Sequence, residues 1–307
     1  MKILITGGFG FIGSSLATKL HESGHEVKIV DYALNPPEFR TVKYSSFNQL
    51  DITDLKSVLL LDVKNYDCVC HLAGQPSAAI SFSDPYKDLQ LNTQTTLNLL
   101  ELCREKNIPR ILYASTFNVY KEIEGKEIYS INDHVEAKSP YAISKIASEN
   151  YIKTLSKNYG ITYGIQRMFN VYGPGQDFNN KSLGMLNIFL TMARNEGQVK
   201  VKGSLDRFRD FIFIDDVIEI WYRIIQMNES IVTNVGTGKK SYISDLIESI
   251  RIALELDNLP IEILEGTPGD FKGAIADLSL NEDIYNDFKI TELSDGIKKF
   301  VNWTKKL

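Results

Sequence analysis

Tyr141 and Lys145 stand four residues apart, just behind Ser139-Pro140, a pair of the kind that opens a helix. On a helix that spacing puts both side chains on one face, where a phenol and an ammonium can converge on one substrate atom. A tyrosine near its ordinary pKa of ~10 is a poor base at neutral pH, and a neighbouring positive charge favours the phenolate. The chemistry suited to such a pair is removal of a proton from a hydroxyl group. Ser115 and Thr116 follow the apolar run Arg110 to Ala114 and would bring hydroxyls to the same place from a strand end. An isolated Tyr-x-x-x-Lys is also an ordinary surface arrangement, so the elements that carry the pair must decide its meaning.

The first of those elements is the N-terminal stretch KILITGGFGFIG. A β-branched run, Ile3 to Ile5, breaks into glycines and then becomes a helix-like segment, the strand, turn and helix that wrap a dinucleotide pyrophosphate. Gly7 allows the tight turn, Gly10 lets the backbone approach the phosphates, and Gly13 lets the helix pack on the strand. Phe11 and Ile12 supply main-chain N–H groups between them. A second apolar strand, Val27 to Val30, ends in Asp31. A carboxylate there accepts hydrogen bonds from a ribose diol and repels a 2′-phosphate, so the cofactor expected is NAD rather than NADP. Its oxidised nicotinamide would add a second positive charge favouring the Tyr141 phenolate.

Apolar strands then keep alternating with helical segments. Phe11 to Ser23 reads as a helix stopped by Gly24, and Cys68 to Ala73 as a buried parallel strand. Asp84-Pro85 opens a leucine-rich helix through Lys106, Arg110 to Ser115 is a strand, and Ile161 to Arg167 is another. The pattern predicts an α/β fold, a doubly wound parallel sheet of Rossmann type with ligands at the carboxyl ends of its strands. Past Gly173-Pro174-Gly175 the order is less regular, and Arg209 to Ile214 reads as a strand ending in Asp215-Asp216. The expected division is an NAD-binding domain over 1–168 plus about 209–233, with a smaller interleaved substrate domain over 169–208 and 234–307. A cleft between them is the default ligand site.

Composition narrows the rest. The 307 residues are 43% hydrophobic and carry a net charge of −5, an ordinary globular balance without the basic field that nucleic acid or an acidic membrane would require. Cys68, Cys70 and Cys103 lack metal-ligand spacing to histidine and read as small core residues, so no metal is expected. No apolar run reaches the ~20 residues of a membrane span, and the first strand begins at once, which points to a cytoplasmic protein.

Taken together, the motifs resemble the extended short-chain dehydrogenase/reductase family, in particular its nucleotide-sugar epimerases and dehydratases. The resembling segments run through nearly the whole chain: TGGFGFIG, Asp31, Asp51-Ile52, HLAGQ from His71, Asn92, ASTFNVY from Ala114, YAISK from Tyr141, RMFNVYGPGQ from Arg167, RDFIFIDDV from Arg209, NVGTG from Asn234, and Pro-Gly-Asp with Ala276-Asp277. The resemblance implies Thr116, Tyr141 and Lys145 as the catalytic set. It implies cofactor contacts from Gly7, Gly10, Phe11, Ile12, Gly13, Asp31, Asp51, Ile52, Leu72, Ala73, Gly74, Asn92 and Ser115 as well as from Tyr141 and Lys145. It places Gln75, Thr116, Asn170, Val201, Arg209 and Asp270 near a nucleotide-sugar, and it implies a homodimer built on the helix after Pro85 and the helix bearing Tyr141. Departures occur at Gly74 (often Ala), Thr95 and Lys121 (usually Gly), and Thr267, which replaces an arginine expected to meet the diphosphate. Arg207, on the side of Arg209 if the strand has begun, is the candidate for the missing charge.

The resemblance implies an NAD-dependent epimerase acting at C4 of a nucleotide-linked hexose or N-acetylhexosamine, with UDP the expected carrier. Dehydratases of this kind carry Asp-Glu immediately after the catalytic threonine, whereas Phe117 and Asn118 stand here and neither titrates. A 4-ketoreductase or 4-dehydrogenase needs the same three residues and is the alternative; a noncatalytic NAD-binding module would be expected to lose Tyr141 or Lys145. In resembling hexose epimerases a tyrosine four positions after the Asp of the Gly-Asp pair crowds a 2-acetamido group. Here Ala274 occupies that position, so acetamido sugars are expected to fit.

Overall fold

A computed structural model of the protein describes residues 1–178, 184–266 and 272–307. Seven strands form one sheet: β1 (Lys2–Thr6), β2 (Glu26–Asp31), β3 (Ser46–Gln49), β4 (Cys68–His71), β5 (Arg110–Thr116), β7 (Thr162–Met168) and β12 (Ile231–Val235). Their order, β12-β7-β5-β4-β1-β2-β3, places β1 inside with the chain winding outward on either side, and β1 runs parallel to both β2 and β4. This is the Rossmann-like sheet that the alternating apolar runs require, because strands covered on both faces must be apolar throughout. Ile3, Leu4, Ile5, Val27, Ile29 and Val69 are completely buried.

The helices follow the capping chemistry of the sequence. Helix α1 (Phe11–Glu22) begins on Gly10 and α2 (Leu55–Leu59) on Asp54. Ser77 caps α3 (Ala78–Ser83) and Asp84 caps α4 (Pro85–Leu89). Helix α6 (Pro140–Tyr159) starts with Ser139 accepting the Ala142 N–H, has Pro140 in its first turn, and stops at left-handed Gly160. The segment expected as one helix from Pro85 to Lys106 is broken: a π turn at Gln90–Gln94 separates α4 from α5 (Thr95–Lys106). The carbonyls loosened by that turn are taken by hydroxyls. Thr95 Oγ1 donates to Leu91 O at 2.7 Å, Thr96 Oγ1 to Asn92 O at 2.7 Å, and Ser148 Oγ to Asn92 O at 3.1 Å. A threonine at 95, where a glycine is usual in resembling proteins, thus satisfies a backbone group.

Residues cluster into two units. The first comprises 1–121, 134–167 and 218–233; the second 122–133, 168–217 and 234–307. The second unit holds α7 (Met185–Glu196) and short strand pairs: β6 (Ile128–Tyr129) with β15 (Ile275–Ala276), β8 (Asn170–Tyr172) with β11 (Phe211–Phe213), β9 (Val199–Lys202) with β14 (Ile261–Leu264), and β10 (Phe208–Arg209) with β13 (Ser241–Tyr242). Residues 209–217, expected with the NAD-binding domain, therefore group with the second unit, because Phe211–Phe213 pairs with Asn170–Tyr172 and not with the sheet. The single strand expected over Arg209 to Ile214 is two, interrupted at Asp210. Its buried carboxylate accepts from Thr237 N and Oγ1, Gly238 N and Ala276 N, so the chain changes strand partners there. Asp215 and Asp216 lie in the first turn of α8 (Ile214–Gln226), where Asp216 accepts from Thr291 N and Oγ1, both at 2.9 Å.

Candidate active site

Strand β5 and helix α6 bring Thr116, Tyr141 and Lys145 together in the first unit. Thr116 closes β5, its Oγ1 accepting from Asn118 Nδ2 at 3.2 Å, and its hydroxyl is close enough to Tyr141 to favour the phenolate. Lys145 Nζ donates to Ala114 O at 2.9 Å, lies 4.7 Å from the Tyr113 ring centroid and 5.7 Å from that of Tyr141. Burial pushes the Tyr141 phenol up to about 12; the nearby Thr116 hydroxyl opposes this and the Asp88 carboxylate adds to it. Burial likewise brings Lys145 down to about 8, with Asp88 and Glu149 resisting. The expectation that Lys145 lowers the tyrosine value is not met by the protein's own groups: burial sets the direction, and Lys145 is not among the groups that move it. At neutral pH the pair is a neutral phenol beside an ammonium.

Most of the residues expected to hold NAD lie at the carboxyl ends of the parallel strands or in the turns that follow them. Gly7 has φ +70°, and a Cβ on it would sit 2.7 Å from Ala73 N. A Cβ on Gly13 would lie 2.1 Å from Gly7 O, so only glycine lets α1 start this close to β1. No side chain caps α1, which leaves the N–H groups of Phe11, Ile12 and Gly13 directed out of the helix end, the arrangement that receives a pyrophosphate. Asp31 ends β2 and accepts from Phe9 N at 2.9 Å and Ala33 N at 3.1 Å, so this carboxylate also builds the turn beside the glycines. Leu72, Ala73 and Gly74 follow β4, and the Leu72 N–H donates to Thr6 O. Gly74 fits where relatives often have alanine because a Cβ there would lie 2.4 Å from Asn92 Oδ1. Asp51 accepts from Thr53 N and Oγ1 at the start of a turn, beside buried Ile52. Ser115 spends its hydroxyl on Glu149 Oε1 at 2.6 Å.

The residues expected near the nucleotide-sugar divide between the units. Gln75 is in the first, its amide donating to Ser77 O and Asp88 Oδ1. In the second, Asn170 N donates to Asp210 O at 3.0 Å, one residue beyond Arg209, so those two are brought close. Arg209 Nη1 donates to Phe208 O at 2.7 Å. Arg207 precedes the strand, and its guanidinium folds back onto Ser204 O and Lys202 O, so the premise that it continues a strand side shared with Arg209 does not hold. Val201 is completely buried in β9. Ala274 is only 1% exposed, so it faces packed atoms and not open volume. Thr267 and Asp270 lie outside the described residues.

Two buried groups escaped the sequence reading. Glu149 continues the Tyr141, Lys145 series by another four residues and pairs with Arg167, Nη2 to Oε2 at 2.7 Å and Nε to Oε1 at 3.0 Å. That i, i+4, i+8 pattern was available as a signal. Asp88 is the other; its position in a short helix of mostly exposed residues gives no sign that it turns inward. Among the described residues no group of His, Cys, Asp and Glu could hold a metal, and no helix is long and apolar enough to cross a membrane.

The model of the NAD dependent epimerase/dehydratase family matches residues 3–236. A putative UDP-glucose 4-epimerase of Methanocaldococcus jannaschii is 32% identical over 99% of this chain and 98% of its own length. Among solved structures, UDP-glucose 4-epimerase of Thermotoga maritima with UDP-glucose superposes with a TM-score of 0.93 at 28% identity, covering 100% of this chain and 99% of that one. The Thermus thermophilus UDP-glucose 4-epimerase complex with NAD gives 0.89 at 28% identity, covering 99% of each.

Proposed function

From the premise that the chain belongs to the NAD dependent epimerase/dehydratase family, we propose that it is a nucleotide-sugar epimerase inverting C4 of a UDP-linked hexose. NAD is the cofactor the glycine turn and Asp31 suit; when bound it supplies a hydride acceptor and a positively charged ring. The chain's own groups do the rest. Tyr141 takes the proton of the C4 hydroxyl, Thr116 holds the same oxygen, and Lys145 contributes an ammonium and a ribose contact. Because the protein alone holds the phenol near 12, the added positive charge is what makes it a base. The 4-keto sugar then turns over, and Tyr141 returns the proton on reduction of the other face.

The observation that carries this reading is Lys145 Nζ held between Ala114 O of β5 and the Tyr141 ring, with Thr116 at the end of that strand and the following positions held by Phe117 and Asn118. Neither can serve as the acid or base that loss of water requires. The test is redox stoichiometry. Purified protein given NAD and UDP-glucose or UDP-galactose should interconvert them with no build-up of NADH. Accumulation of NADH equal to sugar consumed would replace the proposal with a 4-dehydrogenase, and loss of water would replace it with a dehydratase.

A homodimer is part of the proposal. Tyr86 (81% exposed) and Leu89 on α4, with Ile143 (58%) and Tyr151 on α6, present large apolar side chains to solvent on the helices that the family resemblance assigns to a dimer. Sedimentation should give twice the 34.7 kDa chain mass, and a monomer at assay concentrations would remove this part of the reading.

A further inference from the structure

Directly behind the Tyr141–Lys145 pair, and used by no step above, lies a carboxylate. Asp88 is 1% exposed although its neighbours Tyr86, Lys87, Leu89 and Gln90 are all open to solvent. Its Oδ1 accepts from Gln75 Nε2 and Asn92 Nδ2, both at 3.0 Å, and its Oδ2 accepts from Ser144 Oγ at 2.7 Å. Three partners on two oxygens leave this buried carboxyl group fully satisfied. Each donor has a second role near the site. Ser144 stands between Tyr141 and Lys145 on α6, and its carbonyl accepts from Thr93 Oγ1 at 3.1 Å. Asn92 also donates to Gln75 O at 3.1 Å, which closes a ring of bonds over the π turn. The Tyr141 N–H itself donates to Ser81 Oγ at 3.0 Å, so α6 is located against α3 and α4 by polar contacts.

We infer that Asp88 is a positioning residue for Tyr141 and Lys145, a buried carboxylate that anchors their helix through Ser144 and sets the charge that both groups meet. The inference rests on the assignment of Tyr141 and Lys145 as the working pair. The charged and titratable groups facing that pair are Asp88 from α4, Glu149 from α6 with Arg167 bonded to it from β7, His71 from β4 and Tyr113 from β5. His71 is held neutral near neutral pH, brought down to about 3 by burial and by Lys145. Glu149 has its charge met by Arg167. Asp88 is the carboxylate among them without a cationic hydrogen-bond partner, so its field falls on Tyr141 and Lys145.

The sign follows directly. A negative charge favours protonated phenol over phenolate and ammonium over amine, so its removal moves both titrations toward lower pH. Loss of packing alone would lower the rate without moving either limb. Asp88→Asn is the discriminating change, since its Oδ1 can keep the Gln75 and Asn92 bonds while its Nδ2 meets Ser144 Oγ. In the NAD-bound protein the tyrosinate ultraviolet signal that Tyr141→Phe removes should titrate about one pH unit or more lower in Asp88→Asn. Both limbs of the kcat profile should slide in the same direction, toward lower pH. Asp88→Ser carries the same expectation, should the first variant not fold, and Ser144→Ala, which keeps the charge, should leave the midpoint in place. A Tyr141 midpoint unmoved in the folded neutral variants, or moved equally by Ser144→Ala, overturns the inference. Because the spectroscopic midpoint needs no turnover, a protein that shifts as expected yet converts no nucleotide-sugar would refute the epimerase proposal while upholding Asp88.

Discussion

Glu149→Ala should be among the most damaging single changes in the first unit. Glu149 and Arg167 are 2% and 3% exposed and joined by two charge-assisted hydrogen bonds. Removing the carboxylate takes from Arg167 both of these bonds and the charge that meets it through them, and deprives the Ser115 hydroxyl of its acceptor. Breaking one side of a buried pair costs about 3–5 kcal/mol, a large part of the ~5–15 kcal/mol that holds an ordinary domain together. Trp221 lies in the first unit and Trp303 in the second, and they are the chain's two tryptophans. Urea unfolding followed by fluorescence in a Trp303→Phe background therefore reads the unit that contains the pair. The pH dependence has a definite sign. Burial raises the Glu149 carboxyl, but Arg167, Ser115 and Lys153 together leave it below the usual glutamate value. Its stabilisation is thus complete above the unfolded value and is lost as pH falls through the lower folded one; Glu149→Ala should lack this acid limb. Glu149→Leu combined with Arg167→Met should recover most of the loss, since the pair is costly to break and not to replace. A loss under ~1 kcal/mol in Glu149→Ala, or a double variant no better than the single, would refute the reasoning.

Tyr141→Phe should lower turnover by several orders of magnitude while NAD still binds, and Lys145→Ala should impair both; steady-state kinetics with a cofactor titration would check this, and near-normal turnover in Tyr141→Phe would sink the mechanism. Asp31→Asn should raise NADP use relative to NAD by about tenfold, or ~1.4 kcal/mol, as the charge repelling a 2′-phosphate disappears. Asparagine is preferred to alanine for that test because Phe9 N and Ala33 N both need an acceptor at this position. Gly13→Ala, with a Cβ 2.1 Å from Gly7 O, should abolish tight NAD binding in calorimetric titration and lower the melting temperature. Ala274→Tyr should be read by thermal melting before any sugar comparison, because a position 1% exposed has no room for a ring and overpacking costs ~1–3 kcal/mol.

Much of the first half of the chain was legible because the features that mark it are local, the π turn at Gln90–Gln94 and Asp88 excepted. Glycine spacing, an acidic residue at a strand end, Ser139-Pro140 and runs of β-branched residues each dictate backbone within a few positions, and all of them agree. The same holds for Thr116, Tyr141 and Lys145, placed by one strand end and one helix face. What could not be read depended on distant partners. Asp210 divides an apparently continuous strand because donors at 237, 238 and 276 meet it. Arg207 folds onto its own turn, and Ala274 is covered. Asp88 turns inward for Gln75, Asn92 and Ser144, none of which marks it in the sequence.

The π turn at Gln90–Gln94 has a consequence for chain length as distinct from chain chemistry. Successive residues of an α-helix advance by about 100°, so one extra residue in a turn acts as a phase shift along an otherwise continuous rod. Ahead of the shift, Asp88 points inward and Tyr86 and Leu89 outward; beyond it, Leu99, Leu100, Leu102 and Cys103 are all in the core. Deleting a single residue there would restore a regular helix and put the two halves out of step. Either the leucines would leave the core or Asp88 would face solvent. Substitutions in this stretch change individual contacts, whereas an insertion or deletion resets the angle between the Asp88 end of the rod and its leucine-rich end.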